Sequence, residues 1–140
     1  MTLIQLTDTI NHYRAILRAE KERFAEMYTG MTSCVGTLSE SPACSCGAND
    51  RVAVTVTRLE PVKERIKLYE ETLETYTDIF RKAASGMRNP MQGRLLIAIY
   101  LRGMSTGKAA ESIKMSRRWA YKYRAEAEEE LNRILKGMKP

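Results

Sequence analysis

An all-α fold is predicted by three features of the 140-residue chain. Apolar side chains recur at alternating three- and four-residue intervals through two long stretches, the mark of helices with one dry face. Ser105 and Ser116 each precede a short periodic segment, as helix N-caps do. Two Phe and one Trp, against seven Tyr and eight Met, leave a mostly aliphatic core with narrow packing faces, which suits helices better than a sandwich. The expected order is an N-terminal pair of long heptad helices, forming a coiled coil or a helical hairpin, followed by a C-terminal helix-turn-helix. Residues 1–86 are expected to be a helical oligomerisation region with a flexible loop at 29–50, and residues 87–140 a separate module.

The first helix is read from Leu3, Leu6, Ile10, Tyr13, Leu17, Glu20, Phe24 and Met27, a heptad seam broken only by Glu20. Arg14, Arg18, Lys21, Glu22, Arg23 and Glu26 supply its wet side. Such a stripe needs a partner, internal or from another chain. Residues 29–50 contain three Gly, Pro42 and many Ser and Thr with no sustained period, which predicts a loop. Asp50 is placed to cap the next element; Val52 to Thr57 alternate as a strand would, and helix is favoured there. From Leu59 the seam resumes through Val62, Ile66, Tyr69, Leu73, Tyr76, Phe80 and Ala83. Pro61 within it is expected to kink the helix or to mark its true first turn. Ser85, Gly86, Asn89 and Pro90 then end the segment.

Beyond this break, Leu95, Leu96, Ile97, Ile99 and Leu101 make a short apolar helix that turns at Arg102 and Gly103. Ser105 opens a second helix and Ser116 a third. Ala109, Ala110, Ile113, Met115, Ala120 and Tyr123 fall at the buried positions of a helix-turn-helix, with Ala110 small enough for a close crossing. Arg117, Arg118, Tyr121 and Lys122 remain on the outer side of the last helix.

The charge follows the same division. The formal net charge is +6, but residues 1–80 sum to −3, residues 81–124 to +10 with Glu111 as their one acid, and residues 125–140 to −1. A compact positive field attracts polyanions, so nucleic acid is the leading partner. An exposed first turn rich in Arg suits the major groove of double-stranded DNA, because a guanidinium bonds both guanine acceptors and also phosphate. Arg117, Arg118, Tyr121 and Lys122 are therefore assigned to base edges and adjacent phosphates. Arg94, Arg102, Thr106, Lys108 and Ser116 are assigned to backbone phosphates near the helix N-termini. Trp119 is divided between a sugar-phosphate contact and packing against the module's own first helix.

With Leu101-Arg102-Gly103 as the tight turn, Ser105 as the entry and Ser116-Arg117-Arg118 opening the reader helix, residues 91–135 resemble region 4 of bacterial sigma factors and its phage relatives. The arrangement of the whole chain is similar to the RinA and ArpU families of phage-encoded transcriptional regulators. The resemblance implies activation of phage late genes, through contact with the host RNA polymerase. Two departures stand out. Lys114 occupies a turn position that usually carries Gly, so a non-Gly residue is expected at positive φ. Arg118 and Lys122 stand where sigma readers often place an acid and a glutamine, so the bases read do not transfer. Two heptad helices would align a pair of readers on half-sites in a homo-oligomer, a dimer or tetramer.

Other chemistries are not supported. Cys34, Cys44, Cys46 and His12 fit no usual zinc spacing, and an odd cysteine count in one segment is no secreted disulfide framework. The run from Gly103 to Lys108 lacks a phosphate loop's first Gly and its preceding strand. One His and scattered carboxylates offer no nucleophile, base and orienting group, so no enzyme and no cofactor are expected. Without a long apolar run or a leader pattern, a cytoplasmic protein is expected, in the host cell if phage-encoded. Two alternative functions share these features: a DNA-packaging protein like a small terminase subunit, and an RNA-polymerase-binding protein that never reads duplex sequence.

Overall fold

The computed structural model describes residues 1–38 and 45–138, with side chains described for residues 1–30 and 58–138. The order is α1 (Leu3–Leu38), α2 (Ser45–Ser85), α3 (Pro90–Leu96), a π-helical turn continuing it (Ile97–Leu101), α4 (Thr106–Ser112) and α5 (Arg117–Gly137). No strand occurs among the described residues, and the fold is all-α.

The loop expected at 29–50 is corrected by this order. α1 runs on to Leu38 and α2 begins at Ser45, so residues 29–38 and 45–50 are helical. Residues 39–44, including Cys44, lie outside the described residues. Ser, Thr and Gly each cost a helix about 1 kcal/mol or less relative to Ala, and an established helix adds residues without a new nucleus. Composition alone therefore overstates the break. Residues 52–57 belong to α2, as favoured, and Pro61 lies inside the helix rather than at its first turn.

The chain divides into two compact units: residues 12–73, and residues 1–11 together with 74–140. The boundary expected at 86/87 falls inside the second of these. In the 12–73 unit, α1 and α2 pair as an antiparallel hairpin: the Tyr13 and Tyr69 rings lie 6.1 Å apart, and Lys21 meets Glu70 at 3.0 Å. Lys63 lies over the Phe24 ring. The seam thus closes within one chain around Leu17, Leu59 and Val62. Glu20, the break in the heptad pattern, turns its Oε2 to Arg65 at 3.7 Å, and that oxygen is buried with no hydrogen bond among the described residues.

The other unit joins both ends of the chain. Leu3, Leu6, Ile10, Phe80, Ala83, Ala84, Leu95, Leu96, Leu131 and Leu135 are buried. The Leu3 amide donates to Asn132 Oδ1 at 2.6 Å, tying the start of α1 to α5. Phe80 lies against Tyr100. α3 opens on Asn89, whose side chain accepts from the Met91 amide, with Pro90 in the first turn where its missing donor costs nothing. Gly93 approaches α2 so closely that a Cβ there would sit 2.6 Å from the Ala84 carbonyl oxygen. Among the described residues no helix is long and apolar enough to cross a membrane.

Candidate nucleic-acid interface

α4 and α5 form the expected helix-turn-helix. Leu95, Ala98, Ala109, Ala110 and Ala120 make its core, with Ile99, Met104, Ile113 and Met115 packed against it. Three alanines at the crossing let the backbones approach. Both predicted caps are in place: Ser105 Oγ accepts from the Lys108 amide at 3.4 Å, and Ser116 Oγ from the Trp119 amide at 3.2 Å.

The turn between them is a Schellman motif. The Met115 amide donates to the Ala110 carbonyl and the Lys114 amide to the Glu111 carbonyl. Lys114 is left at φ 58°, the left-handed conformation expected of it. Gly103 takes φ 69° after the π turn, where Arg102 donates to Ile97. These two positions set where α4 and α5 begin.

The ten residues singled out from the sequence do not behave alike. Arg118, Tyr121 and Lys122 are exposed on the first two turns of α5, Tyr121 at 63%. Arg118 has no ion pair among the described residues, and Lys122 lies 5.3 Å from the centre of the Tyr123 ring. Arg94, Arg102, Lys108 and Ser116 are exposed. Trp119 is half-buried, 4.7 Å from Tyr123, and lines a shallow groove with Asn89, Met91, Lys114 and Met115. It therefore packs within its own module and keeps one exposed side.

The assignment of Thr106 is corrected, and Arg117 is found in an ion pair. Thr106 is not open to a phosphate: it is buried, and its Oγ1 accepts from Arg124 Nη1 at 2.6 Å. Arg117 does not simply project outwards. Its guanidinium crosses Gly107 of α4 and bonds Glu111, the one acid of the basic stretch.

A polar network missed from the sequence holds these helices together. Arg124 Nε donates to Glu128 Oε1 at 2.8 Å, and Tyr100 Oη donates to the same oxygen at 2.6 Å. Burial, then the bond to Glu128, raises the Tyr100 phenol above its ordinary value, and the Glu128 bond raises the Arg124 guanidinium. The four-residue spacing of Arg124 and Glu128 is a visible signal for their pair. Thr106 and Tyr100 are distant in sequence, and nothing local announces them. Arg124 is thus a structural cation, and Arg81 is paired with Asp78. The exposed cations of residues 81–124 with no ion pair among the described residues are Lys82, Arg88, Arg94, Arg102, Lys108, Lys114, Arg118 and Lys122.

The described residues contain no group of three or more His, Cys, Asp or Glu placed to hold a metal. In comparison with known proteins, the chain matches no family model, no curated protein and no solved structure.

Proposed function

We propose that this chain is a sequence-specific double-stranded DNA-binding transcriptional regulator, with α5 as the reader helix. One observation carries the reading. Arg118, Tyr121 and Lys122 stand exposed on the opening turns of a helix fixed at its N-terminus by the Ser116 cap and the Schellman turn. A helix start fixed in this way needs no backbone ordering on meeting a base edge, and Lys108, Arg102 and Arg94 supply charge for phosphates. By the resemblance to sigma region 4 and to the RinA and ArpU regulators, the role is activation of phage late genes in the host cytoplasm, through contact with RNA polymerase. One helix-turn-helix covers only a few base pairs, so the working species is a homo-oligomer that presents two readers.

The test is binding of labelled duplexes across a salt series, after selection of a preferred site from random sequence. Each phosphate neutralised contributes about −0.9 to the slope of log affinity against log salt. Arg118→Ala is expected to cost roughly 1–3 kcal/mol on the selected site and less on a scrambled one. Equal loss on both would reassign Arg118 to phosphate. A slope near zero for the unaltered chain would refute duplex binding altogether.

A further inference from the structure

The ion pair between Arg117 and Glu111 is a feature that DNA binding by itself leaves unexplained. Glu111 is the one carboxylate among residues 81–124, and it lies on the exposed side of α4 within a surface otherwise suited to a polyanion. A negative charge there repels phosphate, so in a surface selected for general DNA affinity it would be a defect. Its partner Arg117 is the first residue of α5, adjacent to Arg118, which has no ion pair among the described residues. The Arg117 side chain is pinned twice: Nη2 bonds the Glu111 carboxylate, and the guanidinium lies across Gly107, where a Cβ would be 3.6 Å from Nε and 3.7 Å from Cζ. Both groups stay largely exposed, at 64% and 60%, so the pair is open to competition from another anion.

Resting on the DNA-binding reading, we propose that Glu111 is a specificity-determining residue that withholds Arg117 from sequence-independent phosphate contacts. In water an exposed pair of this kind is weak, and a single phosphate offers Arg117 no more than Glu111 already does. A guanine edge offers O6 and N7 to two guanidinium nitrogens without bringing a second negative charge beside Glu111, whereas a phosphate, able to bind in the same forked way, meets that carboxylate's repulsion. Arg118, held by no carboxylate among the described residues, is available to any duplex and gains its base contact only on the selected one. Arg117 is released only onto a matching one. Affinity for random sequence is lowered, and discrimination is raised.

The experiment measures binding of the full chain to a scrambled duplex over a salt series, comparing the unaltered protein with Glu111→Gln, Arg117→Ala and the double variant. Glu111→Gln frees Arg117 for one more phosphate, so the slope is expected to steepen by about 0.9 and binding to fall about eightfold further over each decade of salt. Arg117→Ala alone is expected to leave the slope of the parent unchanged, and adding it to Glu111→Gln to return the slope to that value. Glu111→Asp, which keeps the carboxylate, is expected to behave like the parent. A slope unmoved by Glu111→Gln, or already shallower in Arg117→Ala, overturns the proposal while leaving duplex binding intact. An unaltered chain with no salt-dependent duplex binding refutes the parent reading, and this proposal with it. Circular dichroism of each variant checks folding independently, because a pair that only stapled α4 to α5 would lower the melting temperature without moving the slope.

Discussion

Replacing Lys114 by Gly isolates the turn that sets α5 against α4. At φ 58° the Lys114 Cβ crowds its own backbone, a cost of about 1–2 kcal/mol for an L residue, whereas Gly takes this conformation freely. Gly also has the more mobile unfolded chain, which returns about 0.5–1 kcal/mol. The net expectation is a gain of about 0.5–1 kcal/mol, or a rise in Tm of about 2–4 °C for a chain of this size. Lys114 also lines the groove beside Trp119. Lys114→Ala is therefore the proper reference, since it removes the same stem and charge but keeps the Cβ. Urea melts followed by circular dichroism should place Lys114→Gly above Lys114→Ala by about 1 kcal/mol. Gly103→Ala is the mirror experiment. Gly103 has φ 69° and no heavy atom within 4 Å of a built Cβ, so its expected loss of about 1 kcal/mol comes from the backbone alone. Equal midpoints for Lys114→Gly and Lys114→Ala would refute the argument that left-handed strain, rather than side-chain packing, sets the cost of this turn.

Three further outcomes are expected. Gly93→Ala drives a Cβ to 2.6 Å from a backbone oxygen of Ala84, which α2 relieves only by shifting, so a loss of about 1–3 kcal/mol should appear in the same melts. Glu20→Leu made together with Arg65→Leu removes a partly buried ion pair as a whole and completes the apolar seam with Leu17, and is expected to stabilise the hairpin by about 1 kcal/mol, read as a higher urea midpoint. Because folding raises the Tyr100 pKa, chiefly by burial and next by its Glu128 bond, the folded state holds that proton more tightly. Its contribution is complete below the ordinary tyrosine value of about 10 and is lost as pH rises through the raised one. Melts at increasing alkaline pH should lose stability faster for the parent chain than for Tyr100→Phe.

What the sequence makes visible is local. Ser105 and Ser116 announce themselves because a cap acts on amides two or three residues away, and Ala109, Ala110 and Ala120 because helical spacing puts small residues at a crossing. Lys114 is legible because it stands where helix-turn-helix turns usually carry Gly, so its positive φ follows from the motif. Contacts between distant parts of the chain stay hidden. Thr106 has the residue type and position of a phosphate ligand, and only the tertiary placement of Arg124 turns it inward. Arg117 and Arg118 are indistinguishable as neighbours in sequence, yet Glu111 one helix earlier pairs with the first of them. The outer parts of the 29–50 segment read as loop by composition, yet their weak helix formers extend helices already established on either side.

The bond from Leu3 to Asn132 joins residues 129 apart in sequence. During synthesis at roughly 5–20 residues per second, the first turn of α1 waits roughly 6–26 s before its acceptor exists. Leu3, Leu6 and Ile10 are meanwhile without the unit that buries them. A fragment cut at residue 87 would leave α5 in the same condition permanently, deprived of both flanking pieces. Gathering residues 1–11 and α5 into one core therefore makes completion of α5 the event that licenses the first turns of α1, and a product that stops short of α5 leaves those turns open to proteolysis.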